Sequence, residues 1–255
     1  MNHKYLLFIL TIFGVLTLMF SFDKVSAKTI IKTGYCGTTE NGLDGTNIKY
    51  ELVDPDDDGK QYTLNLYGTG KNEQYQMDWD TSIPGYRVNA PYSKEDGKYY
   101  NITKINIGEG ITHVSYGSFC GIEVKSLKLP KSLQYIDSWA FNGNNLKNIT
   151  IPDKVKKIGE YAFYKLGDSV NNVTIGKNVS SIGYLAIPGI QKQLVIRSTK
   201  LSKKRISTID NRGGLELRGY KMTVKVPKKK YSSYKKMLNK MNSNIKSQKI
   251  KFKKI

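Results

Sequence analysis

The sequence predicts a solenoid, mainly β, in which short parallel strands stack coil on coil and a basic segment containing a helix closes the far end. Three observations predict it. One phrase returns four times between residues 102 and 191, its triplets starting at Ile105, Leu127, Ile149 and Val173, in steps of 22, 22 and 24 residues. Within each phrase apolar and polar residues alternate, as a strand with one buried face requires. Beyond residue 191 the phrase fades and lysine takes over. A fixed period in the twenties marks units that cannot bury their apolar face alone and stack to do so.

The chain opens with Met1–Lys4 as a short positive leader, an apolar run from Tyr5 to Phe20, and Val25-Ser26-Ala27 as small residues before a cut. This pattern reads as a signal peptide over residues 1–27. The alternative is an uncleaved anchor, since Leu6 to Phe22 is just long enough to span a bilayer. No Leu-Pro-x-Thr-Gly wall-sorting motif follows, so the expected product is exported and soluble, membrane-bound only if the leader stays attached.

In the repeats each position has a physical task. The triplets Ile105-Asn-Ile107, Leu127-Lys-Leu129, Ile149-Thr-Ile151 and Val173-Thr-Ile175 put both apolar residues on one strand face. Pro130 and Pro152 follow directly, where the strand must end. Val155 and Ile158 begin the return path, and Gly159 and Gly183 can supply backbone freedom for the next bend. Ser118-Phe119, Ala140-Phe141 and Ala162-Phe163 then form the far wall, with the rings predicted to stack as one ladder. The two extra residues of the last step are placed near Gly167-Asp168.

Ile149 to Phe163 fits the pattern apolar-x-Ile-Pro-x-x-Val-x-x-Ile-Gly-x-x-Ala-Phe throughout, and in this the sequence resembles the BspA-like leucine-rich repeats. The family's common Cys after Ala-Phe is missing, Cys120 falling immediately after Phe119. The resemblance implies a leucine-rich-repeat solenoid with a β-rich N-terminal cap over residues 28–101. Cys36-Gly37, Ile48 to Val53, the Asp56–Gly59 turn, Tyr62 to Leu66 and Gly68-Thr-Gly70 fit such a cap. Four repeats fill 102–191; a degenerate fifth, around Leu194 to Ile209, and the basic cap fill 192–255. The resemblance also implies a secreted or surface-displayed protein connected with adhesion, with no catalytic activity of its own.

In that cap, Lys228 to Met241 places Tyr231, Tyr234, Leu238 and Met241 at helical spacing, with lysines on the other side. Covering the last coil is the task it fits best; a membrane surface or nucleic acid is the other. Ile250-Lys-Phe252 reads as an edge strand whose lysines discourage edge-to-edge pairing.

The formal net charge of +20 is not spread evenly. From Gln191 to Ile255 there are 21 Lys and Arg against Asp210 and Glu216 alone, while residues 28–190 carry 18 of each sign. The neutral body with one cationic end points to an anionic partner, a wall polymer or a host polyanion, unless the lysines only solvate that end. Export argues against specific nucleic acid. Lys228, Lys229, Lys230, Lys235, Lys236 and Lys240 are the candidate polyanion contacts. The middle residues of the triplets, Asn106, Lys128, Thr150 and Thr174, should point outward and are the candidate contacts for a protein or glycan ligand.

Catalysis and cofactors find little support. His113 is the one histidine after the leader, no Gly-x-Ser-x-Gly exists, and the acids Asp78 and Asp80 flank a tryptophan with nothing to set them across a cleft as a glycan hydrolase needs. Asp54-Pro-Asp56-Asp-Asp58-Gly59 copies the first half of a calcium loop, but Asn65 stands where a Glu is required, so a hairpin turn is the better reading and no metal is assigned. Asn101, Asn148, Asn172 and Asn178 stand in glycosylation-acceptor sequences, relevant only in a eukaryotic secretory pathway. Cys36 and Cys120 read as two small buried thiols, a disulfide being the alternative in an oxidising compartment.

Overall fold

The structure, a computed structural model, describes residues 28–39, 43–75, 77–79, 86–95, 98–164, 170–202, 206, 213–241 and 249–255. The leader and the two extra residues near Gly167-Asp168 lie outside them. Three strands open the fold: β1 (Thr29–Tyr35), β2 (Ile48–Asp54) and β3 (Tyr62–Gly68). Short pieces follow, β4 (Gly70–Lys71), the hairpin β5 (Met77–Trp79) with β6 (Tyr86–Val88), and the hairpin β7 (Lys94–Glu95) with β8 (Lys98–Tyr99). Each repeat then gives two strands: β9 (Ile102–Ile107) and β10 (Ile111–Val114), β11 (Ser126–Lys128) and β12 (Tyr135–Ile136), β13 (Asn148–Thr150) and β14 (Lys157–Ile158), β15 (Val170–Ile175) and β16 (Ser181–Ile182). The chain closes with β17 (Ile187–Ile196), β18 (Leu215–Leu217), β19 (Lys221–Val226), α1 (Tyr231–Met241) and β20 (Lys249–Lys254).

These strands build two layers, as a leucine-rich-repeat solenoid does. The triplet strands form one layer as two sheets, β1-β2-β3-β9-β11 and β13-β15-β17-β19-β20; the return strands form the other, β4-β10-β12-β14-β16. Every pairing between repeats is parallel, and β9 joins β3 in the same sense, so the repeats grow directly from the N-terminal hairpin strands. Among the described residues no ladder links β11 to β13, whereas β12 pairs with β14 across the same step. The side chains register this crease: Leu127 and Leu129 are only half-buried, although Ile105, Ile149 and Val173 are buried.

Between the layers lies one continuous core. Phe119, Phe141 and Phe163 stack at 5.2 and 5.1 Å, the predicted ladder. Tyr92 extends it at 5.9 Å from Phe119, fully buried, its hydroxyl donating to the Ser118 carbonyl oxygen at 2.7 Å. This hydroxyl bond answers the need of a buried phenol for a partner. Ala140, Ala162 and Ala186 are fully enclosed and let successive coils approach. Main-chain N–H groups of Phe119, Phe141 and Phe163 each donate to the carbonyl of the next coil's Ala at 2.8 Å.

Two glycines act differently from the sequence expectation. Gly159 and Gly183 are not among the residues with positive φ. They are required because a Cβ at Gly159 would lie 2.2 Å from Ser138 N, and one at Gly183 2.4 Å from Glu160 N. Their role is room for the neighbouring coil's backbone. The left-handed turn falls two residues later, at Gly117, Trp139, Tyr161 and Leu185, with φ of 63°, 62°, 54° and 45°. That conformation costs a side-chain-bearing residue about 1–2 kcal/mol. At Trp139 and Tyr161 it is held by N–H bonds to the next coil's Glu160 and Tyr184 carbonyls and by ring contact at 4.9 Å.

Both ends of the stack are covered. At the first repeat, buried Asn72 donates to Ser118 Oγ at 2.7 Å and accepts the Ser115 N–H at 2.9 Å, fixing the cap to the coil. At the other end α1 buries Tyr234 and Leu238, and the Leu201 N–H donates to the Tyr234 hydroxyl at 3.1 Å. Lys228–Lys230 form a single 3-10 turn ahead of the helix, after Pro227 removes a backbone donor. The Met241 side chain lies outside the described atoms; half-buried Met237 completes the apolar stripe. β20 lies at the edge of its sheet, as its alternation suggests. Among the described residues no helix is long and apolar enough to cross a membrane.

Cys36 and Cys120 are both buried thiols outside any disulfide, and loss of hydration pushes each up to about 12. The thiolate is the nucleophile. Native protein at pH 8 is therefore expected to resist iodoacetamide and to take up two equivalents on unfolding in denaturant, counted by mass spectrometry. Rapid labelling of folded protein would contradict the burial.

Candidate functional site

The candidate contact residues lie on the triplet layer. Backbone pleating turns the middle residue of each triplet away from the core, since the two flanking positions are apolar and face inward. Asn106 is paired with Lys128, and Thr150 with Thr174. The two pairs lie on opposite sides of the crease. Lys128 and Thr150 are exposed, Asn106 and Thr174 half-buried. Asn106 is also engaged within the protein, its side-chain amide donating to Asn65 Oδ1 at 2.7 Å.

The same row runs further than the four repeats. Asn65 precedes Asn106 in register, and Val195, Lys225 and Lys253 follow Thr174. The signal for these was present in the triplets Leu64-Asn-Leu66 and Val224-Lys-Val226, which look like cap sequence until the strands are seen to continue the sheet. Two residues upstream runs a second row, in which Asn172 donates to Asn148 Oδ1 at 2.8 Å. Chemically this face carries amides, hydroxyls and ammonium groups, interrupted by Val195 and by the crease.

The cationic cap is a separate place. Lys228, Lys229, Lys235, Lys236 and Lys240 are exposed and Lys230 half-exposed. Among the described residues none of these six forms an ion pair, and the nearest structured company is aromatic: Lys235 Nζ stands 5.9 Å from the Phe252 ring centre, and Lys254 Nζ 5.2 Å from that of Tyr231. Ammonium over a ring keeps its charge and its outward hydration. The helix thus shows its apolar side to the last coil and its lysines to solvent.

The weighed chemistry is dispersed. His113, half-buried, places Nε2 2.9 Å from Asp137 Oδ2 and its ring 5.3 Å from Tyr135, a local contact between adjacent coils. Asp78 falls within β5, and Asp80 lies outside the described residues. Asp54, Asp56 and Asp58 do come together, with ligand oxygens within 4.8 Å. The arrangement belongs to the β2–β3 hairpin expected there. Burial raises the Asp54 carboxyl, but the Gly59 N–H at 2.7 Å and the Asp56 N–H at 3.4 Å outweigh it and hold the group below the usual range. The loop's own amides therefore each take one lone pair on an Asp54 oxygen.

Comparison with known proteins agrees with the repeat. Residues 97–211 match the BspA type leucine rich repeat region, in six copies. The pneumococcal vaccine antigen PcpA is 19% identical over 84% of this chain and 49% of its own, with a TM-score of 0.48. A leucine-rich repeat protein from Eubacterium ventriosum ATCC 27560 is 19% identical over 78% of this chain and 56% of its own, with a TM-score of 0.42. The chain thus spans about half the length of either. No curated protein matches the sequence.

Proposed function

From a chain that carries a BspA type leucine-rich repeat region, we propose a secreted or cell-surface binding module, non-enzymatic, that recognises a protein or glycan in adhesion through the outer face of its triplet layer. The observation that carries this reading is two runs of outward positions, Asn65, Asn106 and Lys128 in one sheet and Thr150, Thr174, Val195, Lys225 and Lys253 in the other, polar except at Val195 and, apart from buried Asn65, outside the core. Repeat scaffolds expose such long surfaces as a consequence of stacking.

A second reading is favoured by the unpaired lysines of the cap. There the protein is retained on anionic wall polymer or a host polyanion by Lys228, Lys229, Lys230, Lys235, Lys236 and Lys240. One experiment separates the two. Alanine at Asn106, Lys128, Thr150 and Thr174 together is expected to abolish binding to intact cells and matrix proteins at salt levels that screen surface charge. Glutamate at the six cap lysines should leave that binding in place and remove only the fraction that rising salt elutes. Binding untouched by the alanines and abolished by charge reversal would transfer the function to the cap.

A further inference from the structure

A cationic depression lies off the triplet face, on the edge where each coil turns from the triplet layer to the return layer. It is open, about 660 Å³, and lined by Gln134, Lys154, Lys156, Asn178, Ser180 and Lys200, which come from four successive coils. Among the described residues no carboxylate lines it. Lys200 Nζ donates to Asn178 Oδ1 at 2.8 Å, and Lys156 Nζ donates to Gln134 Oε1 at 3.0 Å. An ammonium group has three donors, so one bond to a neutral amide orients it while leaving its charge whole and two donors free. Lys156, which also stands 5.5 Å from the Tyr135 ring centre, and Lys200 are therefore oriented without a carboxylate partner among the described residues.

The surroundings extend the pattern. Asp153, on the same edge, is shared between Arg197 at 3.1 Å and Lys177 at 3.8 Å, one anion for two cations. Register places the 3-10 turn Lys228–Lys230 on this edge too, because Thr150, Ile175, Ile196 and Val226 end successive strands of the sheet and the turns follow them. The Leu201–Tyr234 hydrogen bond fixes α1 beside the Lys200 turn. Three ladder steps of about 4.8 Å put the Lys154 and Lys228 turns about 14 Å apart. In the first repeat the corresponding turn has Glu109, whose carboxylate accepts the Lys131 and Ser132 N–H groups, so the cationic character begins only past the crease.

We propose that this turn edge, centred on Lys154, Lys156 and Lys200, is a binding site for a linear polyanion bearing phosphate or sulfate groups. Tetrahedral oxyanions accept several charge-assisted bonds at once, as ammonium groups lining one depression can provide. A flexible polymer with closely spaced anions can run from the depression to Lys228–Lys230 along one line. The inference rests partly on the electrostatic reading of the cap and gives it a place of its own.

The test measures binding of fluorescent poly(glycerol phosphate) and of a heparin oligosaccharide by anisotropy across a salt series. Lys154→Gln/Lys156→Gln/Lys200→Gln is expected to weaken binding about tenfold or more and to flatten the log–log salt dependence by about two to three units. Lys98→Gln/Lys125→Gln/Lys147→Gln, exposed lysines elsewhere, removes the same net charge and should stay within about twofold. An effect on one polymer alone supports the site and identifies phosphate or sulfate as its source. Equal weakening by both triples would reduce the effect to net charge and overturn the proposal. Loss on Lys228→Gln/Lys229→Gln/Lys230→Gln with none at the depression would keep the cap reading and sink this one. Wild-type protein that ignores both polymers would remove both.

Discussion

Gly159→Ala should destabilise the solenoid by about 3 kcal/mol, read as a lower urea midpoint at unchanged slope. The added methyl carbon would sit 2.2 Å from Ser138 N and 2.5 Å from the Asp137 carbonyl carbon. Both are main-chain atoms, and both belong to a coil tied in place: the Gly159 N–H donates to the Ile136 carbonyl at 2.8 Å, and the Glu160 N–H to Ser138 Oγ at 3.0 Å. Relief would therefore require separating two coils rather than turning a side chain. Gly59→Ala makes the useful contrast. Nothing lies within 4 Å of that position, and its cost is only the left-handed backbone, φ 69°, about 1 kcal/mol. Equal midpoints for the two variants would show that close coil approach is not what Gly159 provides.

Phe141→Ala should cost about 3–5 kcal/mol. The ring is buried and stacked on both sides, against Phe119 at 5.2 Å and Phe163 at 5.1 Å, with interplanar angles of 16° and 12°. Its loss opens a cavity between two rings whose backbones are hydrogen-bonded to the neighbouring coils, so collapse around it is limited. Because repeats are stabilised mainly by their neighbours, a gap at the middle coil weakens two interfaces at once. A broadened or two-step denaturation curve would be the mark of that, and a loss below about 1 kcal/mol would mean the ladder is ornamental.

What could be read in the residues was what repeats. Triplets, prolines and Ala-Phe pairs return in step, and each return adds support to a strand, a turn and a stacked ring that one copy alone could not specify. Tyr92 escaped this reading because its place in the ladder comes from outside the repeat, carried in by the loop that follows β6. Asn72 and Ser115 likewise pair across 43 residues, a distance over which no local pattern speaks. Gly159 was visible as a glycine but its reason was not: a sequence shows the missing side chain, and only the neighbouring coil shows what fills the space. The repeat-face residues were legible as outward positions, yet Asn106 proved to be partly occupied by Asn65, whose strand belongs to the opening hairpin. The depression at Lys154, Lys156 and Lys200 gathers residues from several coils, and the eye reading along the chain meets them as scattered charge.

The crease between β11 and β13 gives the molecule a preferred direction of failure under load. Tension along the stack finds no strand ladder between β11 and β13 on the triplet side, only the bonds of Val124 with Asn144 and Asn145 just ahead of them, while the β12–β14 pair and the Phe119–Phe141–Phe163 stack still span the step on the other. A tethered molecule pulled at its ends would open on one side like a book and stay bound at the spine, taking up strain by bending before any repeat unravels.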